Sequence, residues 1–143
     1  MPEGLGSALT GLGRFEQAAE VAQQALHVRR ELGHPALEAE ARAGLARLAL
    51  AQNDIPAALL QVSEILNYLE GGGSLDGADA PLRIYLTCVE ALQAAGRAAP
   101  AKELLQEAYQ LLQARAARIS DADARRLFLE NVPWHARIMH LRE

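Results

Sequence analysis

Three short segments of this 143-residue chain repeat one pattern, a turn-forming residue followed five positions later by alanine. They are Gly13-Arg14-Phe15-Glu16-Gln17-Ala18, Asn53-Asp54-Ile55-Pro56-Ala57-Ala58 and Gly96-Arg97-Ala98-Ala99-Pro100-Ala101. Their turn residues lie 40 and then 43 positions apart. A period of this size marks stacked supersecondary units, none of which can bury its apolar face alone.

The flanking stretches are helical in pattern. Ala41, Leu45, Leu48 and Ala49 recur at spacings of three and four, as one buried helix face requires. Leu104, Leu105, Ala108, Leu111, Leu112 and Ile119 do the same after the third turn, leaving Glu103, Glu107 and Gln110 on the wet side. With 29 alanines and 24 leucines and few β-branched or aromatic residues, propensity agrees with pattern. An all-α chain is expected, with helices near 3–12, 15–32, 36–52, 55–70, 79–95, 98–118, 121–131 and 134–141.

The stops are specific. Gly33 before His34-Pro35 is a left-handed helix end, and Asn53 can take the same turn while Asp54 caps the next helix. Asp76 or Asp79 is expected to cap the helix containing Pro81, and Ser120-Asp121-Ala122-Asp123 opens another. Gly71-Gly72-Gly73-Ser74 reads as a flexible connection. Residues 1–8 and 71–78 are expected to be the most mobile.

Leu5-Gly6, Leu9, Leu12-Gly13, Phe15, Ala18, Ala22 and Ala25 closely resemble the tetratricopeptide repeat signature. A second copy runs through Leu45-Ala46, Ala58 and Val62, departing at Arg42 and Ile65. A third runs through Tyr85, Leu92, Gly96, Ala101, Leu105 and Ala108, with Val89 where the family has a small residue. The resemblance implies a right-handed superhelical stack of antiparallel helix hairpins, with repeats at 2–33, 36–70 and 79–118 and a cap over 120–143. The spacing is similar to the family's extended variant, found in bacterial signalling ATPases, transcription activators and sensors, so a piece of a larger protein is expected.

Little in the sequence asks for catalysis. Neither a phosphate loop nor a dinucleotide glycine pattern nor a catalytic-serine motif is present. His27 with His34 and His135 with His140 lack the four-residue spacing of a zinc helix, and Cys88 is the lone cysteine. No enzyme, cofactor or metal is therefore expected. The net charge of −4 argues against nucleic acid, although residues 113–143 carry 6 basic and 4 acidic groups. No stretch approaches the roughly 18 apolar residues of a membrane span, and a cytoplasmic location is expected.

By register, the resemblance places a partner groove on Ser7 and Thr10, on Glu40, Ala43, Gly44, Arg47 and Leu50, and on Arg83, Leu86, Thr87, Glu90 and Gln93. Glu40, Arg47, Arg83, Thr87, Glu90 and Gln93 are its candidate partner-binding residues, for a protein or peptide. Two other readings remain open. One is self-association as a homodimer through the C-terminal helix with Trp134, and the other is a small-molecule sensor domain of a transcription activator.

Overall fold

Prolines and left-handed residues punctuate the chain. The computed structural model describes residues 3–142, with side chains from Gly13 onward. Its helices are α1 (Glu3–Leu32), α2 (Pro35–Ala51), α3 (Ile55–Glu70), α4 (Pro81–Ala94), α5 (Ala98–Ala117), α6 (Ala122–Glu130) and α7 (Pro133–Arg142), and no strand occurs among the described residues. Pro35, Pro56, Pro81 and Pro133 each lie in a first helical turn, where a missing N–H costs nothing.

Four helices end alike. Gly33 (φ 68°), Asn53 (φ 57°), Gly72 (φ 92°) and Gly96 (φ 76°) turn left-handed. After each, the next N–H reaches back across the last turn: His34 to Arg29 O, Asp54 to Ala49 O, Gly73 to Tyr68 O and Arg97 to Leu92 O, at 2.8–3.1 Å. These bonds satisfy carbonyls that a helix end would otherwise orphan.

Gly13 is the exception, and the turn expected there is absent: α1 runs unbroken from Glu3 to Leu32. The reason is proline. Pro56 and Pro100 follow their turns by three and four residues, and a proline ring clashes with the carbonyl four residues back, so no helix can continue through Asn53 or Gly96. Nothing of that kind follows Gly13, and one helical glycine costs only about 1 kcal/mol. The first repeat is thus not a hairpin. The side chains of Ser7 and Thr10 lie outside the described residues.

Capping follows the sequence in part. Asp54 accepts from Ala57 N at 3.3 Å. Asp121, not Ser120, caps α6 by accepting from Ala124 N at 3.1 Å. Ala80 occupies the cap position before α4 and no side chain caps the helix, so neither Asp76 nor Asp79 has that role.

The 71–79 segment is a built loop and not the free tether its glycines suggest. The Tyr68 hydroxyl donates to Ser74 O at 2.7 Å and accepts from Ser74 N at 3.0 Å. Ser74 Oγ accepts from Asp76 N at 3.1 Å, and Leu75 and Ala78 are buried. Gly73 is needed because a Cβ there would run into the Tyr68 ring.

The chain divides into two compact units, residues 1–79 and 80–143. In the first, α2 packs against both α1 and α3. Ala39, Ala43 and Ala46 of α2 and Ala58, Val62 and Ile65 of α3 form buried rows. Arg42, an odd residue for such a face, keeps its stem inside and donates to Gln61 Oε1 (3.1 Å) and Glu38 Oε1 (3.3 Å), so the buried charge is paired. Among the described residues the α1–α2 contact centres on Leu26, Ala41 and Leu45, edged by Ala19, Ala22 and Ala25.

In the second unit α4 and α5 form an antiparallel pair, and α6 and α7 close it. Leu82, Ile84, Cys88, Val89 and Leu92 are buried on α4, as are Ala101, Leu105, Ala108 and Leu112 on α5. Ile138 anchors α7 with no exposed surface. Val89 is likewise fully buried, so its size where the family has a small residue leaves no exposed gap.

Candidate functional site

The six candidate partner-binding residues divide between the units, Glu40 and Arg47 in the first and Arg83, Thr87, Glu90 and Gln93 in the second. Three of them have structural tasks. Thr87 is buried and its hydroxyl donates to Arg83 O, one turn back, at 2.9 Å, so it is withdrawn from any partner. The Arg83 guanidinium stacks over the Trp134 ring, 5.2 Å from its centroid, a cation–π contact that fastens α7 to α4. Glu40 Oε2 accepts a long bond, 3.5 Å, from Asp79 N and helps hold the 71–79 loop. Ala43, also assigned to the groove, is fully buried. Glu90 and Gln93 remain exposed on α4.

A different surface has the features of a binding site. On α1, Val21, Val28 and Leu32 are 66%, 51% and 65% exposed. At spacings of seven and four they form one stripe, turned away from the buried Leu26. Beside it a groove of about 520 Å³ opens between α1 and α2, lined by Arg14, Gln17, Ala18, Val21, Ala22, Ala25, Arg29, Ala41 and Gly44. The groove exists because small side chains flank the α1–α2 seam: helices that meet at Leu26 and Leu45 leave unfilled space over Ala22, Ala25, Ala41 and Gly44. Gly44 has only one neighbour within 4 Å of where a Cβ would stand, Arg47 Nη2 at 3.8 Å. Gly44 is the sequence-assigned residue that lines this groove, with Arg47 beside it.

Val21, Val28 and Leu32 did carry a signal, a second apolar stripe about 100° from the core stripe of the same helix. It is masked in the sequence by the many alanines between the two.

Among the described residues two titratable groups are shifted by burial. Burial pushes the Cys88 thiol up to about 12, which keeps it a protonated, unreactive core residue. Burial also lowers the pKa of His135, against the raising effect of its hydrogen bond to Phe128 O, while nearby Arg115 lowers it further. That bond is 2.8 Å from Nδ1, and because a carbonyl only accepts, Nδ1 carries the proton. Among the described residues no three His, Cys, Asp or Glu side chains gather as a metal site, and no helix is long and apolar enough to cross a membrane.

Two other concavities are more mixed in charge. The α6–α7 cleft, about 550 Å³, has Leu129, Ala136 and Met139 beneath Arg125, Arg126, Glu130 and His140. Arg125 there is tied to Ile119 O by two bonds of 2.7 and 3.0 Å, and Arg126 faces Asp123 at 3.5 Å. A smaller hollow of about 310 Å³ between α2 and α3 contains the Arg42–Glu38 pair. No family model, no curated protein and no solved structure matches the chain.

Proposed function

We propose that this chain is a non-catalytic binding module of the tetratricopeptide-like helical type, which holds a protein segment in the α1–α2 groove. The observation that carries the reading is the exposed stripe Val21, Val28 and Leu32 running beside an open groove floored by alanine and glycine. Covering such side chains returns about 1–2 kcal/mol each. Small floor residues let a third helix approach to about 8 Å, the close end of helix packing. The groove offers few polar groups that converge on a point, as a small-molecule site requires, so a peptide or helix suits it better.

The hairpin turns at Asn53 and Gly96, each followed by a buried alanine, Ala58 and Ala101, support the family part of this reading. A superhelical stack, a bacterial signalling context and a cytoplasmic location belong to the same proposal. A neutral amphipathic peptide of Leu, Ala and Gln, titrated while amide shifts are followed by NMR, tests it. Shifts centred on Val21–Ala25 and Ala41–Gly44 are expected, and Gly44→Leu should remove them by filling the floor. Shifts elsewhere, or shifts that survive Gly44→Leu, would refute the site.

A further inference from the structure

The charged residues that line the α1–α2 groove are of one sign, and Glu40, one turn before Gly44, is turned to Asp79 N at 3.5 Å. The lining contains Arg14 and Arg29 and no carboxylate. Arg47 adds a third guanidinium beside Gly44. The two α1 arginines are fifteen residues apart, about 22 Å along a helix axis, and they bracket the apolar floor of Ala18, Val21, Ala22 and Ala25. Arg29 is held at the closed end, near the turn at Gly33, by donating through Nη1 to Leu37 O at 2.9 Å. Arg14 is exposed at the open end. The acidic residues of this part of α1 avoid the groove: Glu31 pairs with His27 (3.2 Å) on another face, and Glu16 and Glu20 project away from the lining.

We infer that the occupant is an acidic amphipathic helix, with an apolar stripe of about four turns flanked at both ends by Glu or Asp. This rests on the binding reading above and adds the sign and placement of the partner's charge. Arginine suits the task because its planar fork takes a carboxylate through two parallel N–H bonds. The small floor admits the ligand's apolar residues, and the guanidiniums fix where along the groove it stops. A basic helix of the same apolar pattern would set like charges against Arg14 and Arg29, a penalty that selects between partners.

The test uses two sixteen-residue helical peptides sharing one Leu/Ala stripe, one ending in Glu pairs and the other in Lys pairs, titrated into the full chain by calorimetry. The Glu-ended peptide should bind about tenfold more tightly at low salt, a gap that narrows in high salt as exposed ion pairs are screened. Arg14→Glu, at an exposed position that leaves the core untouched, should shrink the preference several-fold, and Arg14→Glu with Arg47→Glu should reverse it. Circular dichroism confirms that both variants fold. Equal affinity for the two peptides, with shifts in the groove, would overturn the charge inference and leave the binding reading standing. Binding of neither peptide in the groove would overturn both. A doubling of mass by light scattering, without peptide and abolished by Val21→Asp, would make a second copy the occupant and overturn the acidic-helix inference.

Discussion

Replacing Ile138 with alanine tests how the second unit is closed. Ile138 is fully buried, and on α7 only His135 is also classed as buried. The substitution deletes three carbons, worth about 2.4 kcal/mol in transfer free energy at about 0.8 per methylene. α7 is a ten-residue helix, and besides the buried His135, bonded to Phe128 O at 2.8 Å, its other attachments lie at the edge. Arg83 stacks on Trp134, Arg142 stacks on Tyr109 at 5.1 Å, and Gln113 Nε2 meets Met139 Sδ at 3.2 Å. Some collapse of α7 into the gap is therefore expected, and a total near 3 kcal/mol follows from the usual range for buried aliphatics. Trp134, the chain's single tryptophan, stands on the same helix and reports on it directly. In urea, a slope of about 2 kcal/mol/M converts the loss into a fluorescence midpoint about 1.5 M lower. Ile138→Val should cost only about 1 kcal/mol. A loss below about 1 kcal/mol for Ile138→Ala would mean that α7 is not packed as described, and the argument would fail.

The continuity of α1 predicts opposite signs at two glycines. Gly13→Ala should stabilise by about 1 kcal/mol and raise helicity, whereas Gly96→Ala, at φ 76°, should destabilise by about 1–2 kcal/mol; destabilisation by Gly13→Ala in thermal melts would restore the turn. Because burial depresses the His135 pKa, its neutral form belongs to the fold, and the unfolded ring takes up a proton first as pH falls. Its contribution is therefore complete above about pH 6.5 and declines below it, until the lower folded-state pKa is passed. The Trp134-detected midpoint should fall between pH 7 and 5, and less so in His135→Gln; equal profiles would show that His135 is not the titrating group.

The fold was legible where sequence chemistry leaves one option. Proline three or four residues after a left-handed residue forbids a continuous helix, and both such turns formed where expected. Glycine alone permits a turn without enforcing one, which is why the reading failed at Gly13. The opposite error occurred at Gly71–Gly73, where a glycine run reads as slack. There Tyr68 closes a loop over Ser74 from six residues away, a contact no local pattern reveals. Register arithmetic placed the groove residues less well. It can assign a face to Thr87 or Arg83, but it cannot show that Thr87 turns its hydroxyl back to its own helix. Nor can it show that Arg83 lies under Trp134, fifty-one positions away.

The make-up of the α1–α2 seam and the presence of the groove have one cause. Alanine at positions 18, 22, 25 and 41 and glycine at 44 carry little side-chain area, and among the described residues Leu26 and Leu45 are the large side chains of the seam's core. Larger side chains at those positions would strengthen the pairing, since each added buried methylene contributes about 0.8 kcal/mol, and the same atoms would fill the space an occupant needs. The row of small residues lets α1 and α2 pack closely, and it also leaves a groove open with Val21 and Val28 exposed beside it. A ligand helix bound there would cover the open side of the seam and stabilise the first unit by RT ln(1 + L/Kd), where L is its free concentration, a gain that rises with the logarithm of that concentration. Under the proposed function, the small residues that let α1 and α2 meet closely would also shape the space the partner enters.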